Sequence, residues 1–154
     1  MGMTVDVFAI PAAAVGDVLA ERESFEQFES ISLEKAWHGL HFLLTGDAWE
    51  TEGPAAFIVG GGAPLNGVDA GYGPPRLFTP DEVQQIHAKL NSTDGETLWS
   101  RYDSDAMTTE GVYPDIWDEP EEDLKEEYLF YFTDLKNLVS RAAATGQGLV
   151  VFLA

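Results

Sequence analysis

Alternating and continuous runs of apolar residues predict four β-strands along the chain. The segment from Met3 to Ile10 alternates apolar and polar positions and is rich in β-branched residues, which indicates a strand. Residues 148–154 form an apolar run of the kind found in strands at the centre of a sheet. Shorter apolar segments at 55–59 and 76–78 are predicted to add two more strands.

Between these strands, apolar residues recur every three or four positions, as they do on one face of a helix. Residues 15–29 and Leu33–Leu44 are predicted helices, and Gly46 is placed to end the second one in the left-handed conformation. A third helix begins at Thr79, whose hydroxyl is expected to form a capping box with Glu82. These helices are expected to face a common core.

The second half of the chain is dominated by the longest predicted helix. A short helix is expected around residues 96–102, whereas residues 103–117 show no clear periodicity. The long helix starts near Asp118 or Glu119, which are expected to cap it, and Gly146 closes it. Its apolar stripe is wide enough to pack on a sheet. The stripe consists of Leu124, Tyr128, Tyr131, Leu135, Leu138 and Ala142, widened by Leu129, Phe132 and Val139.

The order of these elements predicts an α/β fold in a single layered domain over residues 1–154. About four strands, including the N-terminal and C-terminal ones, are expected to pack with the helices. The long C-terminal helix comes directly before the last strand. No internal repeat, low-complexity tract or linker divides the chain.

The charge of the chain restricts its partners. Its 27 acidic and 8 basic residues give a net charge of −19. Eleven of the acids lie between Asp103 and Glu127, against the single base Lys125. Phosphate backbones and anionic membranes repel such a surface, so neither nucleic acid nor membrane is an expected partner. A basic protein partner is compatible with it.

Other classes of protein are excluded by what the sequence lacks. The chain has no cysteine, so disulfides and thiolate metal sites are absent. No signal peptide is recognisable, and no apolar run approaches the roughly 20 residues of a membrane helix. A cytoplasmic location is therefore expected.

The motifs that resemble catalytic or metal sites fail on inspection. His38 and His41 stand three residues apart on a predicted helix, which permits a metal or acid–base role, but a buried histidine with a local hydrogen bond is favoured for His41. The glycine-rich segment 60–67 lacks the Gly-Lys-Ser/Thr sequence of a phosphate loop. Residues 103–108 lack the ligands of a calcium loop. No catalytic residue, metal or cofactor is predicted, which favours a non-enzymatic protein.

Arg76 is unusual because bases are rare in this chain and because it follows the stiff sequence Tyr-Gly-Pro-Pro. A structural salt bridge to Asp103 or Asp118 is the favoured interpretation. The alternative is that Arg76 anchors an anion or carboxylate in a pocket with aromatic walls. The candidate walls are Trp37, Tyr72, Tyr113 and Trp117.

Four segments together resemble a known family: Met1–Met3, Trp37–Gly46, Tyr72–Pro80 and Val112–Trp117. In this order and spacing they are similar to the YfbM-like family of bacterial proteins of unknown function. The resemblance spans essentially the whole chain and implies a compact α/β domain. It implies no established activity, so no catalytic residues are transferred. The matching residues are Trp37, Leu40, His41, Leu44, Thr45, Gly46, Tyr72, Gly73, Pro74, Arg76, Tyr113, Pro114 and Trp117.

Two functional hypotheses from different classes follow, beside a purely structural role. The first is a non-enzymatic binding protein, of inhibitor or immunity type, that engages a basic protein partner. Tyr113 and Trp117 are its expected anchors, although aromatics that fill the core under a loop are the favoured interpretation of both. The partner-binding candidates are Asp103, Asp105, Glu110 and Asp115.

The second hypothesis is a small-molecule sensor or an enzyme with an anion-binding pocket around Arg76 and His41. It rests on the rarity of arginine and on the polar groups within the family-like segments. The ligand-binding candidates are Trp37, His41, Thr45, Tyr72, Arg76, Tyr113 and Trp117.

Overall fold

The computed structural model describes residues 2–68 and 71–154, and these residues form one five-stranded sheet. All neighbouring strands are antiparallel, and their order across the sheet is β2-β1-β5-β4-β3. The strands are β1 (Val5–Ile10), β2 (Ser30–Glu34), β3 (Ala63–Pro64), β4 (Arg76–Phe78) and β5 (Gly148–Leu153).

Six α-helices accompany the sheet in this part of the chain, together with short 3-10 turns at 12–14, 25–27 and 54–56. The fold is mixed α/β, as predicted, with the long helix directly before the last strand. No helix within residues 2–68 and 71–154 has both the length and the apolar character needed to cross a membrane. The helices are α1 (Val15–Leu19), α2 (Trp37–Thr45), α3 (Pro80–Asn91), α4 (Gly95–Trp99), α5 (Ser104–Thr109) and α6 (Glu121–Ala144).

The strand β5 lies at the centre of the sheet, as its apolar composition predicted. One row of paired residues runs across the sheet through Val7, Val151 and Arg76. The face that carries this row packs against α2, α3 and α6. The opposite face, which carries Phe8 and Val150, is covered by α1 and the turn at 25–27.

The two helices with the strongest sequence signals form as predicted. The Thr79 N–H donates to Glu82 Oε1 at 2.9 Å, and the Glu82 N–H donates to Thr79 Oγ1 at 3.3 Å, which completes the capping box of α3. The stripe of α6 is buried except at Tyr131 and Leu129, which are half-buried. Pro120, which has no capping side chain, precedes α6, so the predicted cap by Asp118 or Glu119 was wrong.

Two predicted helices were too long. The helix predicted at 33–44 begins only at Trp37, because Ser30–Glu34 pairs with β1 as an edge strand. Glu34 leaves that strand with a φ of 49°, a left-handed conformation that separates strand from helix. The helix predicted at 15–29 ends at Leu19, and Glu21 follows it with a φ of 59°.

Two other segments differ from what the sequence pattern indicated. Residues 55–59, predicted to be a strand, form a 3-10 turn and further turns, which begin after Gly53 at a φ of 87° and place Pro54 in the first turn. Residues 103–117, which show no periodicity, contain the short helix α5. Its Asp103 side chain accepts from the Ala106 N–H at 3.1 Å, an N-cap that stabilises a helix too short to show a stripe.

Candidate functional site

A cavity of about 570 Å³ lies on the face of the sheet that carries Val151 and Arg76. Arg76, Val151 and Leu153 form its floor, because all three project from the same side of neighbouring strands. The exposed rings of Trp49 and Tyr72 contribute to its rim. Apolar side chains dominate the lining, and Arg76 is its charged group.

The guanidinium group of Arg76 is held by backbone carbonyl oxygens. Its Nη2 donates to the oxygens of Phe57 and Ile58 at 3.0 and 2.7 Å. Its Nη1 donates to the oxygens of Gly61, at 3.0 Å, and Gly60. Desolvation lowers the pKa of Arg76 to about 10, which leaves the group charged at neutral pH.

The salt bridge predicted between Arg76 and Asp103 or Asp118 is not formed. Within residues 2–68 and 71–154, no carboxylate lies within ion-pair distance of the guanidinium. The carbonyl dipoles of the turn at 57–61 stabilise its charge instead. Backbone dipoles therefore solvate the charge of Arg76, and no carboxylate in the described part of the chain neutralises it.

The glycine-rich segment gives the turn its shape. Gly61 and Gly62 have φ angles of 79° and 76°, which side chains beyond glycine rarely adopt. A Cβ atom at Gly60 would overlap the carbonyl oxygen of Thr51. These constraints direct several carbonyl oxygens toward one point, which Arg76 occupies.

A second cavity, of about 440 Å³, adjoins the first one. Met3, Trp37 and Trp49 line both cavities. The second cavity also contains Tyr113 and Asp115. Trp49 therefore stands between two recesses of the same surface.

The aromatic residues around this boundary are fixed by hydrogen bonds. The Trp37 Nε1–H donates to the Met3 carbonyl at 3.0 Å, and the Met3 N–H donates to the Tyr113 hydroxyl at 3.0 Å. The ring of His38 stacks on Trp37 and lies 4.4 Å from the ring of Trp49, measured between centroids. The walls of both cavities are thus preformed.

His38 is neutral and has a defined tautomer. Its Nδ1 accepts from the Tyr113 N–H at 2.9 Å, so the proton resides on Nε2, which donates to the Ala48 carbonyl at 2.8 Å. Desolvation lowers its pKa. Both ring nitrogens are therefore engaged in holding the Ala48 and Tyr113 segments together.

His41 differs from its neighbour. It is fully buried, and neither ring nitrogen has a hydrogen-bond partner among the described residues. Desolvation, with a smaller contribution from His38, lowers its pKa to about 4. The local hydrogen bond predicted for His41 is not present, whereas His38 forms two.

The family assignment rests on a match over nearly the whole chain. Residues 1–152 match the model of the family described as "Domain of unknown function (DUF1877)". The chain belongs to the DUF1877 family. The DUF1877 fold seen here is also that of the crystal structure of YfbM from Escherichia coli, described as a protein of unknown function. The two chains are 18% identical and superpose with a TM-score of 0.69 over 98% of this chain and 99% of the other.

These comparisons confirm the resemblance to YfbM-like proteins. At 18% identity the likeness shows the fold alone. A search of curated proteins finds none that is similar to this DUF1877 chain. Its function therefore has to be argued from its own side chains.

The DUF1877 structure brings only part of the predicted ligand site together. Trp37, Tyr72 and Arg76 line the first cavity, and Tyr113 lines the second. His41 lines neither, because it is buried below Trp37 and His38 on α2.

Thr45 and Trp117 also lie away from both cavities. The Thr45 hydroxyl donates to the His41 carbonyl at 2.9 Å, within the last turn of α2. Trp117 is buried, its Nε1–H donates to the Val112 carbonyl at 2.8 Å, and its ring lies 5.6 Å from that of Tyr128. The Thr45 hydroxyl is thus used at the end of α2, and Trp117 belongs to the core.

Sequence reasoning missed Trp49. It lies in a polar, breaker-rich loop, and it is 62% exposed at the edge of both cavities. The signal that could have found it is a single large aromatic in a loop that has no apolar periodicity. Such a residue is available for contact with a ligand or partner.

The four acidic partner candidates surround α5 and are all exposed. Asp103 caps α5, and Asp105 lies in its first turn. The Ala48 N–H donates to Glu110 Oε1 at 3.3 Å, and Asp115 lines the second cavity. None of the four forms an ion pair with a base in the described part of the chain.

Proposed function

We propose that this protein binds a small organic anion in the cavity above β4 and β5, without catalysing its conversion. One observation carries the proposal: a charged Arg76 forms part of the floor of a mainly apolar cavity and has no carboxylate partner among the described residues. The volume of about 570 Å³ suits a small molecule, because such sites typically measure about 300–1,000 Å³. The absence of cysteine suits a cytoplasmic protein.

The chemistry of the ligand follows from what the cavity offers. A guanidinium group has five N–H donors, and the four on its Nη atoms are directed at backbone oxygens. The Nε–H has no acceptor among the described residues, and no described carboxylate neutralises the positive charge, so both are left to attract an anion. Partial exclusion of water strengthens that attraction. Trp49 and Tyr72 supply flat surfaces for an apolar or aromatic body.

Binding is supported better than catalysis because neither histidine of α2 is placed to act as an acid or base on an occupant. The imidazole of His41 lies outside the cavities, and both ring nitrogens of His38 are engaged in hydrogen bonds. Within residues 2–68 and 71–154, no group of three or more His, Asp or Glu side chains is arranged to hold a metal ion.

Calorimetric titration with matched acids and amides tests this proposal. Phenylacetate and indole-3-acetate are expected to bind more tightly than phenylacetamide and indole-3-acetamide. Trp49→Ala and Tyr72→Ala should each weaken binding of the acids, whereas Phe130→Ala, which removes an exposed ring on α6, should not. Equal affinity for acids and amides, or binding that is indifferent to Trp49 and Tyr72, contradicts the proposal.

We also propose, as a second candidate, that the exposed carboxylates around α5 engage a basic protein in an inhibitor-type or immunity-type complex. The favouring observation is that Asp103, Asp105, Glu110 and Asp115 are all exposed and none is neutralised by a described base. Complementary charge accelerates the association of such partners.

A pair of variants with the same net charge tests this second candidate. One carries Asp103→Asn, Asp105→Asn, Glu110→Gln and Asp115→Asn; the other neutralises four acids elsewhere, Glu23, Glu26, Glu50 and Glu52. Asparagine at 103 keeps the capping acceptor of α5. A basic protein retained from the native lysate should be lost from the first variant and at high salt, but kept by the second. Equal retention by both variants contradicts the idea.

A further inference from the structure

The two adjoining cavities carry opposite charges. Arg76 lies in the first and Asp115 in the second, and Trp49 separates them. We infer that the occupant is dipolar: a short peptide segment whose C-terminal carboxylate lies at Arg76 and whose basic side chain lies at Asp115. This inference rests on the proposed function, since it names the class of anion that the first cavity accepts.

At the Arg76 end of the site, a positive charge has no carboxylate partner among the described residues, so a negative group of the ligand is favoured there. Its guanidinium is charged and half-buried, and its bound oxygens are neutral carbonyls. The C-terminal carboxylate of a peptide would pair with the Arg76 guanidinium, and the apolar lining would accommodate the last side chain of that peptide.

At the other end of the site, the carboxylate of Asp115 favours a positive group of the ligand. The residue is exposed and has a φ of 67°, a left-handed conformation that Asp and Asn adopt more readily than most residues. Its backbone N–H donates to the Val112 carbonyl at 3.2 Å, so the turn is held by the backbone and not by the carboxylate. No base in residues 2–68 and 71–154 pairs with that carboxylate.

The surface between the two charges is preorganised. The Trp49 N–H donates to Asp47 Oδ1 at 2.8 Å. The neighbouring Ala48 is fixed at both its N–H, by Glu110, and its carbonyl, by His38. Trp49 therefore presents its exposed indole from a fixed loop, and little conformational entropy is lost when a peptide packs against it.

A peptide series tests the inference on the folded, full-length chain. The parent probe is the tripeptide acetyl-Lys-Ala-Phe with a free carboxylate. The second probe, acetyl-norleucine-Ala-Phe, lacks the side-chain amine, and the third, acetyl-Lys-Ala-Phe amide, lacks the carboxylate. In wild type, each charge removal is expected to weaken binding about two- to fivefold, as for a partly exposed ion pair.

Asp115→Asn tests one end of the site by itself, because it removes only the negative charge at position 115. Asparagine tolerates the same left-handed backbone conformation, so the turn should be kept. In this variant the lysine and norleucine peptides should bind equally, while the difference between acid and amide persists. Asp105→Asn, an exposed acid outside the cavities, should behave as wild type. Arg76 is left intact, because its side chain also holds the turn at 57–61.

The possible failures are distinguishable. If aromatic acids bind through Trp49 and Tyr72 but the lysine and norleucine peptides bind wild type equally, the dipolar inference is overturned and the anion site stands. An Asp115→Asn variant that still prefers the lysine peptide also overturns the inference. If neither the aromatic acids nor the peptides bind, the proposed function itself fails.

Discussion

At the scale of single residues, the buried polar groups of this domain differ sharply in how they are satisfied. Arg76 donates to four carbonyl oxygens, and His38 uses both ring nitrogens. His41 is as deeply buried as His38, yet its ring has no hydrogen-bond partner among the described residues. A buried group without a partner makes stability depend on its protonation state.

His41 should make the domain less stable in mild acid. Its folded pKa of about 4 lies below the ordinary 6.5, so the unfolded chain takes up the proton first as pH falls. The contribution of neutral His41 to the free energy of unfolding is complete above pH 6.5 and is lost progressively toward pH 4. Between pH 7 and pH 5 the free energy of unfolding is expected to fall by about 2 kcal/mol.

Urea unfolding of wild type and His41→Leu at these two pH values measures that loss. The variant should lose about 2 kcal/mol less than wild type on acidification, because it lacks the titrating ring. An identical pH response in both proteins would show that another group is responsible.

Arg76→Ala should destabilise the domain by about 2–3 kcal/mol in urea unfolding, because the turn at 57–61 loses the donor to four carbonyl oxygens. Arg22→Ala is the matched control. Arg22 forms an exposed ion pair with Asp17, and its removal should change stability by less than about 0.5 kcal/mol. Comparable losses in the two variants would contradict the structural role of Arg76.

At the scale of elements, a glycine lies where α2 contacts α6. Gly39 lies in the middle of α2, against the rings of Tyr128 and Trp117. A Cβ at this position would lie 2.5 Å from Tyr128 Cε2 and 3.0 Å from Trp117 Cη2. The absence of a side chain thus sets how closely the two helices pack.

Gly39→Ala is expected to lower the free energy of unfolding by about 1–3 kcal/mol through overpacking, although alanine usually favours a helix. Gly16→Ala in α1 is the control, since a Cβ there meets nothing within 4 Å. That variant should be as stable as wild type or up to about 1 kcal/mol more stable. Thermal or urea unfolding of both variants measures these changes. A Gly39→Ala protein as stable as wild type would contradict the predicted overpacking.

The elements that sequence could predict are those whose signals are local. The capping box of α3, the wide stripe of α6 and the apolar β5 all formed as expected. The boundary between β2 and α2 was missed, because Leu33 continues the helical spacing while its neighbours Ser32 and Glu34 pair with β1 and hold the segment in a strand. Residues 55–59 form turns because Arg76, almost twenty positions away, binds their carbonyls.

The candidate site was predictable only in part, for the same reason. Tyr72 and Arg76 attracted attention through their composition and local sequence, and both line the cavity. His41 and Trp117 attracted attention in the same way, but the fold buries both in the core. Which side of an element faces the sheet depends on tertiary packing, and local periodicity does not report it for short segments.

At the scale of the whole molecule, charge repulsion opposes folding. The chain has 27 acids and 8 bases, and its described residues form three ion pairs, all on the surface. The first turn of α6 tolerates Glu121, Glu122 and Asp123 because the helix dipole favours negative charge there. Most of the other carboxylates repel one another across a compact surface.

Added salt is therefore expected to stabilise the protein. The screening length falls from about 30 Å at 0.01 M to about 8 Å at 0.15 M, which weakens repulsion between distant carboxylates. The midpoint of urea unfolding at pH 7 should rise between these salt concentrations. The variant that neutralises Glu23, Glu26, Glu50 and Glu52 should respond less, and a midpoint that falls with salt would contradict the expectation.

The central place of β5 also governs how the domain is made on the ribosome. Strands β1 and β4 are neighbours of β5 and not of each other, so each lacks a partner on one side until residues 148–153 have been synthesised. The nascent chain therefore emerges with two unpaired apolar strand edges. We therefore expect the sheet to be completed only after these residues have been translated, and the exposed edges to be prone to aggregation until then.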